Sequence, residues 1–299
     1  MYKTILAPLD ASKFCEEALS ASVSVARRAR AELCLATVEI ASAFFPESYN
    51  EAVARSAAGA YLERIATDVH EASGLEAKTE VVTGEVAEAL ERLRETVGAD
   101  LVVMATHGRG PLSRAWLGST TDALLRTTEV PLLLVRPKGD NGEIDLGEGV
   151  DFARILITSD GSPTSEAILE PTIALGKLFG ASYHVIRVVE YPRSVPSAYL
   201  PDIAEENRKY LETATAIAER ETHDLVERLR AKDLNVEGST VVSAHVPEGI
   251  LATATEGDFD LIAVATHGRG GVRRMVLGSV ADKVIRGTDL PVLTVRPSE

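Results

Sequence analysis

Short apolar runs alternate with longer amphipathic stretches along this chain. The runs at 4–9, 33–40, 79–83, 101–105 and 131–135 are rich in Val, Ile and Leu, which predicts strands covered on both faces. Between them, 13–30, 50–73, 86–97 and 119–128 read as helices. The succession then returns. Strands are expected near 154–158, 183–189, 236–242, 260–265 and 291–295, and helices near 164–179, 202–231, 247–256 and 279–287. Alternating β and α predicts parallel sheets with helices on both faces. Ser162-Pro163 reads as an N-cap followed by proline at the first helical position. Gly180 stands where a helix C-cap belongs.

The recurrence is an internal repeat. Residues 105–137 align without a gap with 265–297, and about 18 of the 33 positions are identical, too many for unrelated segments. Both copies begin ATHGRG and end in PxLxVRP. TILAPLDAS (Thr4–Ser12) also matches RILITSDGS (Arg154–Ser162), at an offset about ten residues shorter, so the second copy holds an insertion of about that length. The Gly- and acid-rich stretch before 151 reads as a linker. The expected division is 1–138, a linker at 139–150, and 151–299.

Charge narrows the function. A net charge of −14 and a pI near 5.0 argue against general nucleic-acid binding and against docking on anionic membranes. Cys15 and Cys34 form neither a disulfide framework nor a zinc spacing and read as inert, packed thiols. The N-terminus lacks the pattern of a signal peptide, and no apolar run approaches the roughly 20 residues of a membrane span. A cytoplasmic location is expected.

Candidate chemistry gathers at strand ends, where open α/β sheets bind ligands. Asp10 and Asp160 end the first strand of each copy. Gly108-Arg109-Gly110 and Gly268-Arg269-Gly270 follow the fourth. Gly118-Ser119 and Gly278-Ser279 open the last helix. Glycines permit close backbone approach and anion nests. A helix N-terminus adds free N–H groups and partial positive charge. Together these suit a phosphate. Known phosphate loops do not match: GxxxxGK[ST] is absent, and the third position of a GxGxxG motif is occupied by Ser113 or Arg273. His107 and His267 have no metal-ligand spacing or nucleophile partner and read as structural or hydrogen-bonding residues. Trp116, the only tryptophan, reads as a packing or interface residue.

The spacing resembles that of the universal stress proteins, whose nucleotide motif is G-x2-G-x9-G-[ST]. Gly108 followed after nine residues by Gly118-Ser119 matches its second half, and so does Gly268 with Gly278-Ser279. The resemblance covers nearly the whole chain as two tandem domains. It implies two doubly wound five-stranded parallel sheets of order 3-2-1-4-5, pairing through their last strands into an internal pseudo-dimer, with further homodimerisation open. It also implies an adenine nucleotide as ligand: ATP, with or without Mg2+. Asp10, Asp160, Val38 and Val188 would meet the adenosine part. Ala105, Gly108, Arg109, Gly118, Ser119 and Thr120 would hold ribose and phosphates in the first repeat. Ala265, Gly268, Arg269, Gly278, Ser279 and Val280 would do so in the second.

Ala105 and Ala265 depart from the motif, which has glycine there. If the position demands positive φ, alanine costs on the order of 1 kcal/mol. If it only leaves room, the methyl narrows the site. Pro111 removes a backbone donor that Gly271 keeps, so the second site is expected to bind at least as tightly as the first. Two alternatives stay open: a slow ATPase, and a nucleotide-free stress protein working through protein contacts.

Overall fold

The computed structural model describes residues 2–39, 51–106, 117–137, 144–192, 203–267 and 277–297. The first repeat runs β1 (Thr4–Pro8), α1 (Lys13–Glu16), α2 (Ala18–Ala29), β2 (Glu32–Glu39), α3 (Glu51–Ser73), β3 (Ala77–Thr83), α4 (Val86–Val97), β4 (Leu101–Ala105), α5 (Ser119–Thr127) and β5 (Leu132–Val135). The second runs β6 (Arg154–Thr158), α6 (Pro163–Glu166), α7 (Leu169–Phe179), β7 (Ser182–Glu190), α8 (Ile203–Arg230), β8 (Val236–Ser243), α9 (Val246–Glu256), β9 (Leu261–Ala265), α10 (Ser279–Gly287) and β10 (Val292–Val295).

The strands form one ten-stranded sheet of order β3-β2-β1-β4-β5-β10-β9-β6-β7-β8. Each half is parallel in the order 3-2-1-4-5, as expected, and the halves join where β5 and β10 pair antiparallel. β4 and β9 are buried at every residue, as the unbroken apolar runs require when helices cover both faces.

Sequence patterning suggests one helix over 13–30, but the structure breaks it at Glu17 into α1 and α2. In the second repeat the same break has a visible cause. Pro171 lies in the first turn of α7, where it lacks the N–H that would continue the helix from α6. The first repeat breaks at the same place with no proline there, and nothing in the structure explains it. Gly180 caps α7 at φ 65°, and Ser162 Oγ accepts from Ser165 N at 3.1 Å to start α6. Both match expectation.

One core cluster draws on both repeats. It runs from Leu19, Val23 and Leu62 through Leu133 and Phe152 to Ile168, Leu175 and Leu225. Phe152 meets Phe179 edge-on at 5.0 Å between ring centroids, and the Arg28 guanidinium lies 4.4 Å from the Phe179 centroid. The stretch before β6 is docked on α2: Val150 N donates to Ser24 Oγ at 2.9 Å, and Arg27 Nη1 to Gly147 O at 2.8 Å. Gly149 has φ +76°, and a Cβ there would lie 2.0 Å from Ser24 Oγ, so only glycine fits.

The recurring PxLxVRP ending also acquires a reason. Arg136 Nη1 donates to Arg286 O at 2.8 Å and Thr288 O at 2.9 Å, at the C-terminal end of α10. Arg296 Nη1 donates to Arg126 O at 3.0 Å and Thr127 O at 3.3 Å, at the end of α5. Each arginine therefore satisfies carbonyls that the other repeat's last helix leaves without partners, at the negative end of its dipole. None of the described helices is long and apolar enough to cross a membrane.

Candidate functional site

The strand order reverses between β1 and β4, and again between β6 and β9, so the C-terminal ends of these strands open a crevice. Asp10 and Asp160 enter it from β1 and β6. Leu9 N still bonds Ala36 O at 2.7 Å, then the chain turns. Asp10 Oδ1 accepts from Ser12 N at 2.9 Å and Ser12 Oγ at 2.5 Å. Asp160 Oδ1 accepts from Ser162 N at 2.9 Å. Each carboxylate is thus fixed by its own turn, whose serine caps the following helix. The Cys15 thiol lies beside Asp10; burial first, and then that carboxylate, push it up to about 12. Burial likewise raises Cys34 to about 11. Both thiols stay protonated at neutral pH, which fits the inert reading.

The residue between Asp and Ser is left-handed in both repeats, with Ala11 at φ 61° and Gly161 at φ 75°. This relocates the conformational burden expected at Ala105 and Ala265. Those two are extended strand residues, 3% and 7% exposed, and carry no positive φ. Ala265 packs in the core with Leu261, Ala263 and Val295. Alanine at these positions is unstrained.

The last helix is pinned to the strand before it. Gly118 N donates to Thr106 O at 2.9 Å, and Gly278 N to Thr266 O at 2.8 Å. A Cβ on Gly278 would lie 2.6 Å from Thr266 O, so this glycine is needed for close packing whatever binds. Ser119 and Ser279 are the first helical residues and Gly118 and Gly278 the N-caps, with no side-chain cap bond. The first turns of α5 and α10, at Ser119, Thr120, Ser279 and Val280, therefore start without a capping side chain on their N–H groups. His267 Nδ1 lies 3.0 Å from Thr266 Oγ1, and its buried Nε2 has no partner among the described residues. Gly108, Arg109, Gly268, Arg269, His107 and Trp116 lie outside the described residues, as do Pro111 and Gly271.

Asp160 and Val188 line one cleft of about 390 Å³, between the end of β7 and the N-terminal half of α8. Its walls are mixed. Val189, Ala214, Ile217 and Tyr210 supply apolar surface, while Arg187 and Glu190 supply charge. Tyr210 and Ile217 are more than half exposed, which leaves the cleft open. Arg187 is buried and ion-paired with Glu221 of α8. It also borders a second cavity of about 270 Å³ beneath Gly161. At the rim, Glu190 Oε1 lies 3.4 Å from His245 Nδ1. Sequence reasoning missed Arg187, Glu190 and Tyr210. Arg187 and Glu190 stand in β7 where the first repeat has Thr37 and Ile40, and Tyr210 lies in the insertion-bearing stretch after β7, so the repeat offered no like residue to mark them.

The family model for the universal stress protein family matches twice, over residues 1–136 and 151–296. The chain belongs to the universal stress protein family. A universal stress protein of Mycolicibacterium smegmatis is 30% identical over 239 residues, which is 78% of this chain and 73% of that protein. One from Mycobacterium bovis is 26% identical and matches nearly end to end, over 98% of this chain and 99% of its own length. Among solved structures, a universal stress protein from Archaeoglobus fulgidus superimposes over 99% of this chain and 98% of its own, with TM-score 0.72 and 19% identity. That likeness supports the tandem fold and the pairing of its halves within one sheet. This universal stress protein therefore has two copies of the family domain in one chain.

Proposed function

We propose that this universal stress protein binds an adenine nucleotide, ATP in particular, at the strand-end crevice of each repeat, and acts as a regulatory module of a stress response. The observation that carries the reading is the cleft shared by Asp160 and Val188, the two residues expected to meet adenosine. Its apolar walls suit a planar base, and its carboxylates suit hydroxyl and amino donors. The uncapped first turn of α10 suits the phosphates. Ala105 and Ala265 do not oppose this, because both are extended strand residues whose conformation alanine adopts freely. Mg2+, if it accompanies ATP, would be held largely by the phosphates.

The test is direct. Freshly purified protein is denatured, and any released nucleotide is identified by chromatography. The protein is also titrated with Mg-ATP calorimetrically. The expected result is an adenine nucleotide, carried through purification or bound on titration, with loss of affinity at the second site in Asp160→Ala. Absence of both signals refutes the proposal. Phosphate release over time would add hydrolysis to binding.

A further inference from the structure

The two repeats superimpose by register, and the comparison isolates one residue. Thr4 pairs Glu32 in the first repeat as Arg154 pairs Ser182 in the second. Val38 opposite Val82 matches Val188 opposite Val241. Glu39 is therefore the counterpart of Val189. Val189 is an apolar wall of the cleft that holds Asp160 and Val188, so the first repeat places a carboxylate where the second places a valine.

That carboxylate is in an unusual state. Both Glu39 oxygens are buried, and neither has a hydrogen-bond partner among the described residues. A buried carboxylate left unpaired is strongly disfavoured. Its backbone is engaged: Gly84 N donates to Glu39 O at 3.2 Å. By strand alternation the side chain shares a face with Leu33 and Leu35, core residues that pack with Leu62 and Ile65 of α3. It therefore points into the space between the tip of β2 and α3. The second repeat's cleft occupies the matching space, between the tip of β7 and α8.

We infer that Glu39 is a ligand-contacting, specificity-determining residue of the first repeat. Its carboxylate accepts hydrogen bonds from an N–H or O–H group of the bound nucleoside. This rests on the nucleotide reading above and deepens it: the repeats share a ligand class but differ in how strictly they read it. The first requires a donor on the ligand, because without one the carboxylate stays buried and unpaired. The second, with valine, does not. On a nucleoside two groups supply such a donor, the exocyclic amine of the base and the sugar diol.

The experiment uses the full chain with Asp160→Ala, so that binding reports the first repeat. Affinities for ATP, ITP and 2′-deoxy-ATP are compared with Glu39 intact and in Glu39→Val. With Glu39 intact, ATP should bind about tenfold or more tightly than the analogue lacking the contacted donor. Preference over ITP would identify the amine as the donor, and preference over 2′-deoxy-ATP the diol. Glu39→Val should weaken ATP and abolish that preference. Glu39→Gln should retain part of it, because its amide oxygen still accepts. A purely structural Glu39 would change thermal stability in Glu39→Val and leave the preference ratio untouched, which overturns the inference while the nucleotide reading stands. If the unmutated chain binds no nucleotide at all, both fall together.

Discussion

At the scale of single residues, the two repeats pose the same loop with different amino acids. Ala11 and Gly161 occupy one left-handed position between an aspartate and the serine that fixes it. Alanine there bears the clash of its Cβ with the neighbouring backbone, and glycine does not. Ala11→Gly should therefore stabilise the protein by about 1 kcal/mol, after its greater unfolded-state freedom is offset. Gly161→Ala should destabilise by more than that, since its new Cβ would also lie 2.5 Å from Arg187 Nη1 and 2.6 Å from Glu221 Oε2. Urea unfolding of both variants reads the opposite signs. A neutral Gly161→Ala would show that the loop relaxes and that Arg187 is not tied to it. The sequence hinted at this position only through the pair DAS and DGS. It drew attention to Ala105 and Ala265 instead, because those break a motif, whereas a positive φ is set by how a loop leaves its strand.

At the scale of elements, strands and helices were legible because the central strands β4 and β9 are buried at every residue and helices such as α4 and α10 bury one face, which leaves strong apolar and periodic signals. The break in the first helix was not, since a local turn at Glu17 leaves the apolar pattern intact. The role of the VRP arginine was also hidden. Arg136 acts 150 residues away, on Arg286 O, and no local pattern reports a cross-repeat helix cap. Arg136→Ala and Arg296→Ala should each cost about 1–2 kcal/mol, from hydrogen bonds made by a charged donor at a helix C-terminus. The double variant should cost about the sum, because the two contacts share no partner. Thermal or denaturant unfolding measures this. A loss below a few tenths of a kcal/mol in both single variants would mean that the seam rests on β5–β10 pairing alone.

At the scale of the whole molecule, the tandem arrangement is a dimer made covalent, and that view makes a demand on the first repeat by itself. β5 pairs β10 with Leu133 opposite Leu293 and Leu134 opposite Val292, and these leucines are essentially inaccessible. Without the second repeat, β5 becomes an open edge bearing apolar side chains, a surface that seeks a partner. A second copy of the first repeat fits it by symmetry. Leu133 and Leu293 occupy equivalent positions, so Leu133 can face Leu133 of another copy, and Arg136 can take the carbonyls of Arg126 and Thr127 that Arg296 now holds. The copy also replaces Thr294, whose buried hydroxyl lacks a partner among the described residues, with Leu134. A chain of residues 1–138 should therefore sediment as a dimer, and Arg136→Ala should shift it toward monomer. In the intact protein this edge is already occupied, so the same surface should not drive further association. A folded, strictly monomeric 1–138 would show that the pairing depends on the linker tether rather than on complementarity of the two edges.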